Sequence, residues 1–255
     1  MKVVVLVSAG RHPVTGRASP VPVELQAIRL ARLLGAAPSG LHAGPKAEAV
    51  RDTLGHGLAG LAHLAIPDGD DPLPSLVGAL TEMQPDLILA GRVGCGGEDS
   101  GQLPYLVADA LGLPILSDAA LLAPGEAADT LVVDQALPKG VRRRVTLRLP
   151  AILTVHPAAP TPLPFAFAQA RSGRVDTRPG IAAPRPATDA EQRPYRPRPK
   201  LIAKAAAGAS AADRLKAATE TAAAGGRLLV DPPPDEAARE IIAHLREIGV
   251  LRGNG

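Results

Sequence analysis

Short aliphatic runs alternate with segments of helical periodicity along the first 111 residues, and this alternation restricts the fold more than any other feature. Strand-like runs occupy residues 2–7, 39–43, 61–66 and 86–90. Helical spacing of apolar residues predicts helices at 23–34, 45–54, 72–83 and 102–111. This β–α–β–α order predicts an α/β fold with a Rossmann-like, doubly wound parallel sheet and right-handed crossovers.

The composition decides what this core is made of and excludes several kinds of site. Hydrophobic residues make up 46% of the 255-residue chain but aromatic residues only 2%, so aliphatic side chains must fill the core. The single cysteine, Cys95, excludes an internal disulfide and a multi-cysteine iron–sulfur site. The six histidines are scattered and give a metal site little support.

Two further features bear on membranes and nucleic acids. The apolar run 3–7 is too short for a signal-peptide core and far too short to span a bilayer, which favours a cytoplasmic protein without membrane insertion. The basic run Arg142, Arg143, Arg144 lies in a chain of net charge +3. No aromatic side chains interleave with it as a base-stacking surface requires, so we expect a solvated strand and no nucleic-acid partner.

After Gly112 the pattern changes from alternating helices and strands to successive strands. Strands are expected at 114–122, 130–135, 141–149 and 151–155, and the polar–apolar alternation of 144–149 is typical of a half-exposed antiparallel strand. Residues 178–199 are rich in Pro and Arg and predict an extended linker. A helix at 211–223, a strand at 227–230 and a helix at 235–248 should follow it. We therefore divide the chain into an α/β domain, 1–177, and a linker with a helical C-terminal arm, 178–255.

The loop after the strand at 86–90 is the most informative stretch for chemistry. Residues 91–97, Gly-Arg-Val-Gly-Cys-Gly-Gly, form a Gly-rich loop that leads toward the helix at 102. Ligands of open parallel sheets lie at the carboxyl ends of strands, and free N–H groups at a helix start attract phosphate. The turn 41–45, with His42, can line the same crevice. From these residues alone, a plain structural loop and a packed His42 are equally good interpretations.

No set of catalytic residues stands out. The serines Ser8, Ser100 and Ser117 lack the GxSxG elbow, and the Gly-rich loop is neither a P-loop nor a GxGxxG fingerprint. Cys95 fits an incidental residue better than a reactive thiol, and the carboxylates at 98 and 99 suit a helix start better than acid–base catalysis. We therefore expect a carrier or binding subunit rather than an enzyme.

Four stretches in the same order resemble the beta subunits of electron transfer flavoproteins. They are Pro-Asp-Leu-Ile-Leu-Ala-Gly-Arg (85–92) with Glu-Asp-Ser-Gly-Gln (98–102); His-Ala-Gly-Pro (42–45); Thr-Leu-Arg-Leu-Pro-Ala-Ile-Leu-Thr-Val (146–155); and Asp-Pro-Pro (231–233) with Leu-Arg-Glu-Ile-Gly (245–249). Each motif is modest alone, but together they span nearly the whole chain. The resemblance implies an adenine nucleotide alpha hydrolase-like version of the predicted fold.

The resemblance also implies cofactors and partners. The chain would pair with an alpha subunit that holds most of the FAD, with the C-terminal arm packing on that subunit, and would itself bind a structural AMP, or a second FAD in bifurcating members. Electrons would come from a flavoprotein dehydrogenase and pass to a quinone oxidoreductase or an iron–sulfur protein. Leu163 and Pro164 match the dehydrogenase-docking loop. The matching nucleotide contacts are Leu6, Ala43, Gly91, Arg92, Asp99, Ser100, Gly101, Gln102 and Leu103.

Several departures mark a divergent member. The nucleotide loop carries one extra residue, Leu103 stands where the family has a threonine, and the docking loop is about three residues short. These changes leave the nucleotide and the dehydrogenase open. A stand-alone adenine-nucleotide-binding module remains an alternative, against which the long non-helical second half and the Pro/Arg arm count.

Overall fold

The computed structural model describes residues 1–12, 14–95, 99–185, 210 and 232–247. The chain forms two compact units, Met1–Asp189 and Ala190–Gly255. Within the described ranges, no helix has the length and apolar character needed to cross a bilayer.

A nine-stranded sheet forms the first unit's framework. Its strands are β1 (Val3–Leu6), β2 (Ser39–Gly44), β3 (Gly60–Ala65), β4 (Leu87–Gly91), β5 (Ile115–Pro124), β6 (Thr130–Ala136), β7 (Arg142–Arg148), β8 (Ala151–Val155) and β9 (Val175–Pro179). Their order across the sheet is β7-β6-β5-β8-β4-β1-β2-β3-β9. Only the β5–β6 and β6–β7 pairs are antiparallel; the other neighbours are parallel. The predicted parallel sheet with added antiparallel strands is confirmed.

The helices of the first unit begin and end at the residues that favour such boundaries. They are α1 (Pro22–Leu33), α2 (Leu73–Met83), α3 (Leu103–Leu111) and α4 (Phe167–Ser172). Pro22 supplies a preset φ at the first position of α1, and Gly112 ends α3 in the left-handed region with φ 63°. The second unit contains α5 (Pro234–Glu247), which confirms the helix predicted at 235–248.

Two hydrophobic cores cover the two faces of the sheet. Every residue of β1, β4 and β8 is buried, as expected for strands covered on both faces. Val5 packs with residues of α1 in one core, and Val4 packs with residues of α2 and α3 in the other. Because successive side chains of a strand point to opposite faces, the doubly wound arrangement follows from these aliphatic runs.

The edge strand β7 carries the three consecutive arginines, and two of them make polar contacts with β6. Arg144 donates two hydrogen bonds to Asp134, at 2.7 and 3.0 Å. Arg143 donates two to the Gln135 side chain, at 3.0 and 2.7 Å. The predicted solvated strand is confirmed, and charged side chains on an edge strand also disfavour pairing with other chains.

Three parts of the chain differ from the sequence-based expectation or lie beyond it. Residues 45–54 were expected to form an α-helix, but they form 3₁₀ turns at Ala47–Ala49 and Arg51–His56, separated by Val50 with φ −121°. Strand β9 was not predicted, and the domain boundary expected at residue 177 falls inside it. The helix at 211–223, the strand at 227–230 and residues 186–199 of the predicted linker lie outside the described residues.

Replacing Leu153 by Ala should lower the free energy of unfolding by about 2–5 kcal/mol, because the side chain is fully buried in a central strand. Leu121, which is 43% exposed on β5, provides the matched control, and L121A should change the free energy by about 0.5 kcal/mol or less. Urea unfolding followed by circular dichroism measures both. Equal losses in the two variants would contradict the packing described here.

Candidate functional site

A cleft of about 210 Å³ opens at the carboxyl ends of β1, β2 and β4, beside the start of α3. Within the sheet, β2 lies on one side of β1, and β4, which comes later in the chain, lies on the other side of β1. This reversal is the topological switch point at which open α/β sheets bind their ligands. The position of the cleft therefore follows from the strand order.

Eight of the nine residues that the sequence singled out for nucleotide contact line this cleft. Arg92 does not line it; its Nε lies 3.5 Å from Asp118 Oδ1. The eight residues are Leu6, Ala43, Gly91, Asp99, Ser100, Gly101, Gln102 and Leu103.

The start of α3 closes one end of the cleft. The helix dipole favours an anion at this end, where Pro104 carries no N–H and the N–H groups of Tyr105 and Leu106 donate to the carbonyl oxygen of Gln102. Gly101 has φ +74°, and a Cβ at this position would lie 2.5 Å from the carbonyl oxygen of Arg92. Only glycine meets both conditions, so Gly101 allows the chain to enter α3 directly against the end of β4.

The remaining walls combine apolar side chains with aspartates that already have partners. Leu6, Leu41 and Leu76 contribute to the apolar part. Asp71 Oδ1 accepts a hydrogen bond from the N–H of Leu73 at 3.0 Å. Asp70 Oδ2 accepts one from the N–H of Ala183, also at 3.0 Å. An apolar wall with a helix start at one end suits a flat base joined to a phosphate.

His42 is a buried neutral base beside the cleft. Its Nδ1 lies 2.9 Å from the carbonyl oxygen of Val7, so this nitrogen carries the proton, and its ring stacks on His63 with centroids 5.7 Å apart. Burial lowers the pKa of His42 to about 4, and the nearby His63 adds to the effect, while the Val7 bond opposes it. Its Nε2 has no hydrogen-bond partner in the described part of the chain.

A buried carboxyl group also lines the cleft. Glu24 of α1 is 2% exposed. It accepts a hydrogen bond from the Ser8 N–H at 2.8 Å and shares a 2.5 Å hydrogen bond with Ser8 Oγ. Burial raises the pKa of Glu24 to about 8, against the lowering effect of the two Ser8 contacts.

The same serine reaches the Gly-rich loop. The N–H of Cys95 donates a hydrogen bond to Ser8 Oγ at 2.9 Å. Burial raises the pKa of the Cys95 thiol, and the charges of Asp99 and Glu24 raise it further. A thiol whose pKa is raised is a weak nucleophile at neutral pH, which agrees with the expectation of an incidental cysteine.

Sequence reasoning missed Ser8 and Glu24 as parts of the site. A signal for Glu24 was present, because it precedes Ile28 and Ala31 by four and seven residues and so lies on the buried face of α1. Ser8 follows the first strand in a Gly-poor turn, and nothing in its neighbourhood distinguishes it. Arg185 also lines the cleft, although it belongs to the segment that the sequence predicts to be a linker.

The segment that carries Leu163 and Pro164 is held by side chains of α1 and of the 3₁₀ turn Arg51–His56. We define residues 157–167 as the docking loop. The Gln26 side chain donates hydrogen bonds to the carbonyl oxygens of Pro157 and Ala159, at 3.0 and 2.7 Å. His56 Nδ1 lies 2.8 Å from the carbonyl oxygen of Leu163. The backbone of this loop is therefore held at its start and in its middle.

The side chains of the docking loop differ in exposure. Leu163 is half-buried and lies so close to Gly57 that a Cβ there would be 2.8 Å from its Cδ1. Pro164 is exposed. The two phenylalanines of the chain follow, with Phe165 47% and Phe167 68% exposed. The ring of Phe165 rests near His56 at 5.4 Å between centroids, so the loop presents aromatic surface on a fixed backbone.

The amino-acid sequence of this chain is similar to those of known proteins. Residues 14–183 match the electron transfer flavoprotein domain family. The chain is also 42% identical over 259 residues to the electron transfer flavoprotein subunit beta of Chromohalobacter salexigens. That alignment covers 99% of this chain and 96% of the relative.

Replacing Gly101 by Ala should destabilise the protein more than replacing Gly112 by Ala. Both glycines have positive φ, which costs an L-residue about 1–2 kcal/mol, but a Cβ at Gly112 meets nothing within 4 Å, whereas one at Gly101 meets the Arg92 carbonyl. We expect G101A to lose about 1–3 kcal/mol more than G112A, measured by urea unfolding. Equal losses would show that no close approach exists at the start of α3.

Proposed function

Since the chain belongs to the electron transfer flavoprotein family, as a beta subunit, we propose that it is the nucleotide-binding half of a heterodimeric electron carrier. It pairs with an alpha subunit, accepts electrons from a flavoprotein dehydrogenase and passes them to a quinone oxidoreductase or an iron–sulfur protein. FAD, held largely by the alpha subunit, supplies the one- and two-electron chemistry when bound. The chain itself acts as a carrier subunit and not as an enzyme. The match along nearly its whole length carries this proposal.

The cleft at the switch point is the proposed AMP site. Its support comes from the helix start at Leu103, the close approach at Gly101 and the apolar wall that includes Leu6. The phosphate of AMP would meet the backbone around Ser100 and Gly101, and the base would lie along the apolar wall. Leu103, which replaces the family's threonine, contributes its N–H group and no hydroxyl.

We propose AMP, and not a second FAD as in bifurcating members, as the ligand of this cleft. The described walls offer one helix start for a phosphate group and one apolar surface for a base, which is what a mononucleotide requires.

The docking loop is the proposed contact with the dehydrogenase. Leu163 and Pro164 occupy the family's docking positions, but Leu163 also packs against Gly57. The exposed rings of Phe165 and Phe167 supply the larger accessible apolar surface. Aromatic side chains on a fixed backbone are typical energetic anchors of interfaces. We propose that these rings take over much of the contact that the family assigns to the leucine.

Co-expression with an alpha-type subunit should give a yellow heterodimer that releases one FAD and one AMP per pair when it is denatured. Absorbance spectra measure the flavin, and mass spectrometry of the heat-released fraction identifies each nucleotide. The chain expressed alone provides the comparison. A stable, colourless monomer in the co-expression would refute the carrier proposal, and two FAD without AMP would refute the choice of AMP.

Replacing Phe167 by Ala should weaken capture of the heterodimer by its dehydrogenase about tenfold or more, since loss of an interface anchor costs above about 1–2 kcal/mol. The measurement is the rate of flavin reduction against heterodimer concentration, with a dehydrogenase that reduces the wild type. FAD content and unfolding midpoint should stay unchanged. V141A, at an exposed valine next to the distant edge strand β7, is the matched control, and equal kinetics in both variants would refute the docking role.

A further inference from the structure

A chain of hydrogen bonds joins three separate parts of the cleft wall. Glu24 on α1 contacts the N–H and hydroxyl of Ser8, which follows β1. The Ser8 oxygen in turn accepts the N–H of Cys95 in the Gly-rich loop. All three residues line the cleft, so the position of the loop depends on a serine that a buried carboxyl group orients.

Among the described residues, no cation forms an ion pair with Glu24. Arg92, beyond the end of β4, pairs with Asp118 of β5. The loop side contributes Cys95 and Asp99, neither of which is a cation, and His42 of β2 is neutral. Farther along the same cleft wall are Asp68, Asp70, Asp71 and Arg185. Burial of an unbalanced carboxylate is strongly unfavourable, so the protonated acid is the stable form at neutral pH.

The ordinary role of such a glutamate is to cap its own helix, and the geometry argues against it. Glu24 is the third residue of α1, the position from which a capping-box side chain reaches back to the N-cap N–H. Its carboxyl group bonds Ser8 instead, and no side chain caps the N-terminus of α1. The carboxyl group is therefore turned toward the cleft.

On the basis of the proposed AMP site, we propose that nucleotide binding is linked to the protonation of Glu24. The cleft binds its phosphate-bearing ligand in the form in which Glu24 carries its proton. Ser8 and Glu24 then act as positioning residues for the Gly-rich loop. The ligand phosphate adds negative charge to the same cleft and further disfavours ionised Glu24. By linkage, ionisation of Glu24 must weaken ligand binding to the same degree.

The protonation state also changes what Ser8 offers to a ligand. When Glu24 is protonated, its O–H can donate to Ser8 Oγ, which has two lone pairs and also accepts from Cys95. The serine hydrogen is then available for an acceptor in the cleft. When Glu24 is ionised, the serine must donate to the carboxylate, and the cleft loses that donor. Charge repulsion and the loss of the serine donor thus both weaken ligand binding when Glu24 is ionised.

The test is isothermal titration of the full chain with AMP between pH 7.5 and 9.5, where the AMP phosphate is already fully ionised, in buffers of different ionisation enthalpy. The wild type should take up close to one proton per AMP near the upper end of this range. Its affinity should fall by up to about tenfold for each pH unit above 8. E24Q should show neither effect. S8A should bind AMP more weakly at every pH and keep the proton uptake.

A second readout needs no ligand. In the folded chain, burial raises the pKa of Glu24 to about 8, whereas in the unfolded chain this pKa has its ordinary value of 4.5. The folded state therefore binds more protons between these values, and stability must decrease as pH rises through this window. The urea midpoint of the wild type should fall relative to E24Q between pH 5 and pH 8. D109N, at an exposed aspartate of α3, should follow the wild type.

The outcomes separate this inference from the proposed function. AMP binding whose affinity and proton uptake do not depend on pH, or depend on it equally in E24Q, overturns the proton linkage and leaves the AMP site standing. No AMP binding by the wild type at any pH overturns both. If E24Q does not fold, the buffer comparison in the wild type and the S8A titration still decide the result.

Discussion

The burial of β1, β4 and β8 on both faces is the constraint on which the rest of the structure depends. Strands without a polar face require cover from two sides, and the helices α1 on one face and α2 with α3 on the other provide it. With helices on both faces, the direction in which successive strands are added across the sheet must change at some strand, and it changes at β1. The cleft is a geometric consequence of that reversal, since neighbouring loops diverge there. Burial of aliphatic side chains therefore determines where a ligand can bind.

The same burial gives the polar groups at the cleft their character. His42 of β2 and Glu24 of α1 are both buried, and burial favours the neutral form of each. The helix start beside the cleft is suited to an anion, and the neutral forms of His42 and Glu24 add no negative charge to that of Asp99, which also lines the cleft. Glycine at residue 101 completes this arrangement by bringing the start of α3 against β4.

Most elements of the fold, and one part of the cleft wall, could be predicted from the sequence. Aliphatic runs identified the strands that are buried on two faces, and polar–apolar alternation identified the exposed edge strand β7. Strand β9 escaped because its residues, Val-Asp-Thr-Arg-Pro, are mostly exposed at a sheet edge. The glycines and the helix start marked one wall of the cleft. The part of the wall formed by Ser8 and Glu24 did not stand out, since their contact depends on the packing of α1 against β4, which no local pattern reports.

The place of β8 has a consequence for how the chain is made. This strand lies between β4 and β5, which it joins by parallel pairing, yet it follows both of them along the chain. During synthesis the ribosome releases β4 and β5 while the strand that unites them is still missing, and β9 reaches β3 later still. Until residue 155 emerges, the facing edges of β4 and β5 lack the strand that joins them, so the order of the strands delays completion of the parallel sheet.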